Sequence, residues 1–137
     1  MAASTPWHQP CYGAGMTRHR QDLGLQGEDL ACVELEKLGY SILERRYRSR
    51  FGEIDIVARD DGTVVFVEVK TKTSSSFGDP VEEVTLQKQR QIVSMGEEYV
   101  SFRCPPGTNC RFDVVGVDLS ALPATITHYK DAFRPGW

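Results

Sequence analysis

The chain has 137 residues and a formal net charge of −3, from 16 Lys plus Arg against 19 Asp plus Glu. That length fits one domain, which can bury roughly two-thirds of its unfolded surface and needs no disulfide or metal staple. The composition, 40% hydrophobic and 26% charged, excludes a disordered chain; no apolar run reaches the roughly 20 residues of a membrane span, and the mild acidity gives no sign of a nucleic-acid binder.

Residues 1–17 carry Pro6, Pro10, Gly13 and Gly15 without periodicity and are expected to form a flexible N-terminal tail. A single domain is placed at 18–137. From Arg20 to Leu38 the apolar residues Leu23, Leu30, Ala31, Leu35 and Leu38 recur at helical spacing, and Gly39 stands where a left-handed cap ends a helix. Tyr40–Arg48 reads as a first strand. Gly52–Arg59 and Thr63–Thr71 are rich in Ile and Val and flank Asp61-Gly62, a strong hairpin signal. A loop at Ser74–Pro80 precedes a second helix, Thr85 to about Ser101, with Thr85 as N-cap and Leu86, Ile92, Val93, Met95, Tyr99 and Val100 inward. Phe112–Leu119 is a last core strand, and Ile126–Phe133 an edge strand or arm. This order predicts an α/β fold, a mixed central sheet flanked by helices.

No secretory segment is evident, so a cytoplasmic location is expected. The cysteines Cys11, Cys32, Cys104 and Cys110 then read as reduced structural thiols, since one loose pair without a nearby His is too few ligands for zinc.

The hairpin register carries the chemistry. Pairing Asp60 with Thr63 sets Asp55 opposite Glu68 and Glu53 opposite Lys70, all on one face, with Ile54, Ile56, Ala58, Val65, Val67 and Val69 on the other. Opposed carboxylates destabilise a sheet pair, and a hard divalent cation removes the conflict. The plainer alternative is a Glu53–Lys70 salt bridge beside a tolerated clash. Glu28 falls about 20° from Leu35 on a helical wheel, at the border of the apolar stripe, where it either reaches the sheet end or is an ordinary boundary carboxylate. Arg45, Arg46, Arg48 and Arg50 interleave with Tyr47 and Phe51, a pattern that suits phosphates and unpaired bases and also suits a solvated strand. Lys72, Lys88 and Arg90 add positive charge.

Phe51-Gly52-Glu53-Ile54-Asp55-Ile56-Val57-Ala58 and Val65-Phe66-Val67-Glu68-Val69-Lys70-Thr71-Lys72 resemble the uncharacterised bacterial UPF0102 (YraN-like) family. Gly24–Ala31, Gly39-Tyr40, Phe77–Pro80 and Arg111–Val115 extend the likeness across about 18–133. The family is similar to the PD-(D/E)xK restriction-endonuclease-like and Holliday-junction-resolvase-like nucleases. The resemblance implies a restriction-endonuclease-like αβββαβ core and the motif Asp…Glu-x-Lys on Asp55, Glu68 and Lys70. The helical Glu of the resolvase-like branch falls on Glu28. Arg46 departs from the Asn common in the family, Ser94–Gly96 from its usual Ala, and 1–17 has no counterpart.

The resemblance implies a Mg²⁺- or Mn²⁺-dependent endonuclease. Asp55, Glu68 and Glu28 would serve as ligands, joined by the Val69 carbonyl, and Lys70 would act beside them. Arg45, Arg46, Arg48, Arg50, Lys72 and Lys88 would hold nucleic acid, with DNA favoured over RNA. A homodimer is compatible with this, and neither a membrane nor an organic cofactor is expected. The alternatives are a non-catalytic nucleic-acid-binding module of a DNA-processing assembly and a protein-interaction domain with a vestigial site.

Overall fold

The computed structural model describes residues 18–74 and 78–135. The expected tail at 1–17 and the loop residues Ser75, Ser76 and Phe77 lie outside them. Helix α1 spans Arg18–Lys37, strands β1 to β3 span Ser41–Ser49, Gly52–Asp60 and Thr63–Lys72, helix α2 spans Leu86–Arg103, and β4 and β5 span Asn109–Asp118 and Thr125–Phe133. A short 3-10 turn, Pro80–Glu83, precedes α2. The sheet order is β1-β2-β3-β4-β5. Only β3 and β4, joined through α2, are parallel; every other neighbour is antiparallel. The α/β architecture, a mixed five-stranded sheet flanked by two helices, is the one expected. Among the described residues no helix is long and apolar enough to cross a membrane.

Each helix covers one sheet face. Ala31, Cys32 and Leu35 of α1 bury against Ile56, Ala58, Val65, Val67, Val69, Val115 and Val117. On the other face Ile92, Val93, Met95 and Tyr99 of α2 bury against Val57, Val64, Phe66, Phe112 and Val114. The helix ends follow their sequence signals. Gly39 takes φ +92, and the Tyr40 N–H returns to the Leu35 carbonyl, closing α1. The Thr85 hydroxyl accepts from the Lys88 N–H at 3.1 Å and caps α2. Leu86, expected inward, is 54% exposed, because it opens the helix ahead of the buried stripe. Gly96 takes that stripe further than expected: a Cβ there would stand 2.9 Å from the rings of Phe66 and Phe112. Gly27 sits so close to β3 that a Cβ would overlap the Thr71 hydroxyl, which brings Glu28 down onto the sheet.

On β4, where Asp113 pairs with Val67 of β3, a polar group is fully buried. Asp113 is 0% exposed and accepts from Arg111 Nε at 2.9 Å, Arg111 Nη2 at 3.1 Å and the Asp131 N–H at 2.9 Å. His128 Nε2 lies 2.7 Å from its other side. Arg111 also donates to Asp60 at 3.1 Å and to the Tyr40 hydroxyl at 2.7 Å, tying β4 to the β2 end and to the chain leaving α1. Burial pushes the Asp113 carboxyl up, but the bonds from His128, Arg111 and Asp131 outweigh it and hold the group below its ordinary value. Sequence reading gave Asp113 no role beyond a motif match.

Arg111→Leu strands the Asp113 charge in the core and is expected to cost about 3–5 kcal/mol. Urea unfolding checks this, and a loss under about 1 kcal/mol contradicts the buried-pair account.

Candidate functional site

The predicted hairpin register holds from Asp60–Thr63 to Ile56–Val67, and there the β2–β3 ladder ends. The next pair would be Asp55 and Glu68, so the two strands fork where the carboxylates lie. Asp55 Oδ2 accepts the Val69 N–H at 2.8 Å. A side-chain oxygen thus takes a backbone donor of β3 beyond the last ladder pair.

Side-chain alternation also breaks at Asp55. Ile56 and Ala58 face α1, as does Val65, but Ile54 packs on the α2 side with Val57 and Phe66. The expected apolar face containing Ile54 is therefore corrected. On β1 the same shift occurs. Arg45 and Tyr47 pair with Ile56 and Ile54, while Arg46, between them, has φ +52 and drops out of the pairing. A non-glycine residue in that region costs energy and marks a local irregularity. Asp55, the residue opposite Arg46, is likewise left out of the β1–β2 pairing. The second correction concerns Glu53. It is paired across to Arg48 on β1, with Arg48 Nε donating at 3.0 Å, rather than to Lys70 on β3.

Asp55 is 0% exposed, Glu68 1% and Lys70 7%. The Asp55 and Glu68 carboxyls are in hydrogen-bond contact. Lys70 Nζ stands 3.9 Å from Glu68 Oε2, a distance for charge attraction and not for a hydrogen bond. Burial pushes the Glu68 carboxyl well above its ordinary value of 4.5, and the Asp55 charge adds to the rise; Lys88 and Lys70 oppose it. Lys88, in the first turn of α2, is thus near enough for its charge to oppose the rise. Asp113, equally buried, is held low by its donors, so burial alone does not decide the outcome. What differs at Glu68 is the acidic neighbour.

This donor set suits a hard divalent cation. Two carboxyl groups in contact must share a proton or a cation, and Mg²⁺ is commonly held by one or two carboxylates with water completing its shell. Asp55 and Glu68 are the pair that would hold it. Among the described residues no three His, Cys, Asp or Glu side chains converge as a metal-holding group.

Glu28 is fully buried on α1, as the motif position required of a functional side chain, but the structure places arginines around it. Arg45 Nη2 lies 3.2 Å from Glu28 Oε1 and 2.8 Å from Asp29, and Arg46 Nε lies 3.9 Å from Glu28. Burial raises the Glu28 carboxyl above its ordinary value against the pull of both arginines. Two groupings therefore flank the sheet end: Asp55 and Glu68 with Lys70 and Lys88, and Glu28 with Arg45 and Arg46.

The other expected contacts divide similarly. Lys72 Nζ is 3.6 Å from Asp118 at the end of β4. Arg48 is bound to Glu53. Arg50 lies over the Phe51 ring at 4.9 Å and makes no ion pair among the described residues. A surface pocket of about 500 Å³ lies away from the carboxylates, at the hairpin-turn end, lined in part by Thr63, Arg111, Phe133 and Arg134. Its lining brings no two carboxylates together as the fork does.

Residues 27–117 match the model of the family described as "Uncharacterised protein family UPF0102". A UPF0102 protein of Chlorobium chlorochromatii (strain CaD3) is 46% identical over 118 residues, covering 82% of this chain and 91% of that protein. One from Geobacter metallireducens is 46% identical over 119 residues, covering 87% and 98%. UPF0102 protein CPE1705 of Clostridium perfringens is 40% identical over 121 residues, covering 87% and 99%.

The raised Glu68 value fixes a pH dependence. Folding favours its protonated form, so its contribution to stability is present below about pH 4.5 and is lost as pH rises through the raised value. In chelator, the melting temperature should fall as pH rises above about 4.5 toward the upper end of the titration. Glu68→Gln should flatten that fall and melt about 3–8 °C higher at the upper end. A parallel fall in both proteins contradicts the assignment.

Proposed function

The chain belongs to the uncharacterised protein family UPF0102, and from that premise we propose that it is a metal-dependent nuclease hydrolysing phosphodiester bonds in nucleic acid. The observation that carries this reading is the buried Asp55–Glu68 contact at the strand fork, with Lys70 on the adjoining β3 position. Burying such a set costs several kcal/mol per charge, and no fold-level need for it is visible. The likeness to PD-(D/E)xK nucleases lends the same three positions their usual roles.

Asp55 and Glu68 would hold Mg²⁺ or Mn²⁺. Such an ion, when bound, polarises a phosphoryl oxygen and lowers the pKa of its water. Asp55 is oriented by the Val69 N–H, which fixes its Oδ2. Lys70, anchored in a central strand, supplies positive charge where negative charge develops on the phosphoryl group. Lys88 adds a second cation from α2. Glu28 sits beside the site under Arg45 and Arg46, so those arginines serve both to balance Glu28 and to meet the nucleic-acid backbone.

A second reading has its own support. Among the described residues no three-ligand group converges, and Glu28 is engaged by Arg45. Both features favour a module that binds nucleic acid without cutting it.

Incubation of labelled single-stranded, flapped and branched DNA with Mg²⁺ or Mn²⁺ separates the two. The nuclease reading expects cleavage that EDTA stops and that Asp55→Asn and Lys70→Ala each reduce by about 10²-fold or more. Salt-dependent binding of those substrates without any cleavage supports the binding module instead. Cleavage undiminished in Asp55→Asn overturns the site.

A further inference from the structure

The turn between β1 and β2 does something the motif residues do not. Of the two aromatics in the arginine-rich stretch, Tyr47 is absorbed by the fold. Its ring meets Tyr99 edge-on at 5.2 Å, and Arg103 lies over it at 5.1 Å. Phe51 is 40% exposed, although it is a large apolar ring at a turn tip. The backbone beneath it is braced. The Phe51 N–H donates to Ser49 Oγ at 3.1 Å, and the Gln91 carboxamide of α2 donates to the Phe51 carbonyl. Gly52, at φ +143, permits that approach, since a Cβ there would overlap the Gln91 side chain. An exposed ring is thus held on a fixed turn instead of folding back onto the core.

Charge and position say what the ring meets. Arg50 stacks on it at 4.9 Å and makes no ion pair among the described residues, so the tip is cationic as well as aromatic. Phe51 precedes Asp55 by four residues on a strand rising about 3.3 Å per residue, which puts it roughly 13 Å along the strand from the fork. An aromatic ring carrying a guanidinium suits the face of an unpaired base next to a phosphate. A paired base in a continuous duplex offers no open face to it.

We propose that Phe51 and Arg50 form a stacking platform for an unpaired base, which directs this site to nucleic acid with a single-stranded segment. This rests on the reading that nucleic acid lies across this end of the sheet, and it concerns binding, so it stands apart from whether the fork cleaves.

The test measures fluorescence anisotropy of the full chain in EDTA. The probes are a labelled oligodeoxynucleotide of about 12 nucleotides and the blunt duplex of the same sequence. The single strand should bind more tightly than the duplex. Phe51→Ala should weaken single-strand binding about 5- to 150-fold and leave duplex binding within about twofold, while Phe51→Trp should keep the preference. Circular dichroism confirms that the variants fold. If the chain binds the single strand and Phe51→Ala does not alter it, the platform is wrong and the nuclease reading survives. If Phe51→Ala weakens duplex and single strand equally, the single-strand assignment is wrong. No binding of either probe overturns the platform together with the nucleic-acid reading.

Discussion

Two buried carboxyl groups touching at a strand fork are the constraint around which the rest of this molecule is arranged. Asp55 can lie there only because β2 parts from β3 beyond Ile56–Val67, and because its carboxylate takes the Val69 N–H. Glu68 lies there against burial and the Asp55 charge, which both push its carboxyl above its ordinary value. A sheet built for stability alone would fill those positions with Val or Ile, at a gain of several kcal/mol. The flanking apolar positions of β2 and β3 do just that.

The remainder of the fold tolerates and frames the fork. Two hydrophobic layers, one under each helix, supply the burial that encloses the acidic pair. The Asp113–Arg111–His128 group, where Asp113 on β4 is paired with Val67 beside the fork, is the opposite solution to the same problem. There every oxygen of the buried acid meets a donor, and its carboxyl titrates low. The contrast separates acids that lock the sheet from acids left in conflict. Helix α1 approaches through Gly27, which seats Glu28 at the sheet end, and α2 begins there with Lys88.

Much of this was legible in the sequence, because it rested on local rules. The apolar period located both helices, Gly39 and Thr85 marked an end and a start, and Asp61-Gly62 set the hairpin register that brings Asp55 to Glu68. The failures came where a strand leaves its regular period. Nothing in the order Tyr47–Arg46–Arg45 announces the positive φ of Arg46, so the phase shift that moves Ile54 to the α2 face was invisible. Glu53 misses Lys70 because the β2–β3 ladder ends at Ile56–Val67, and its partner is fixed by the β1–β2 register. The arginine-rich stretch was legible as charge but not as contacts. Arg45 and Arg46 turn to α1, Arg48 turns to Glu53, and Arg50 alone stays with an exposed ring. Only tertiary placement makes that division.

The central claim is that the Asp55–Glu68 contact is a divalent-cation site. It is tested most directly by titrating Mn²⁺ into the full chain and following the free ion by electron paramagnetic resonance. The account predicts a saturable site in the wild-type chain that Mg²⁺ displaces and that is missing in both Asp55→Asn and Glu68→Gln. Saturable binding of equal strength in all three proteins, or none in the wild type, would contradict it.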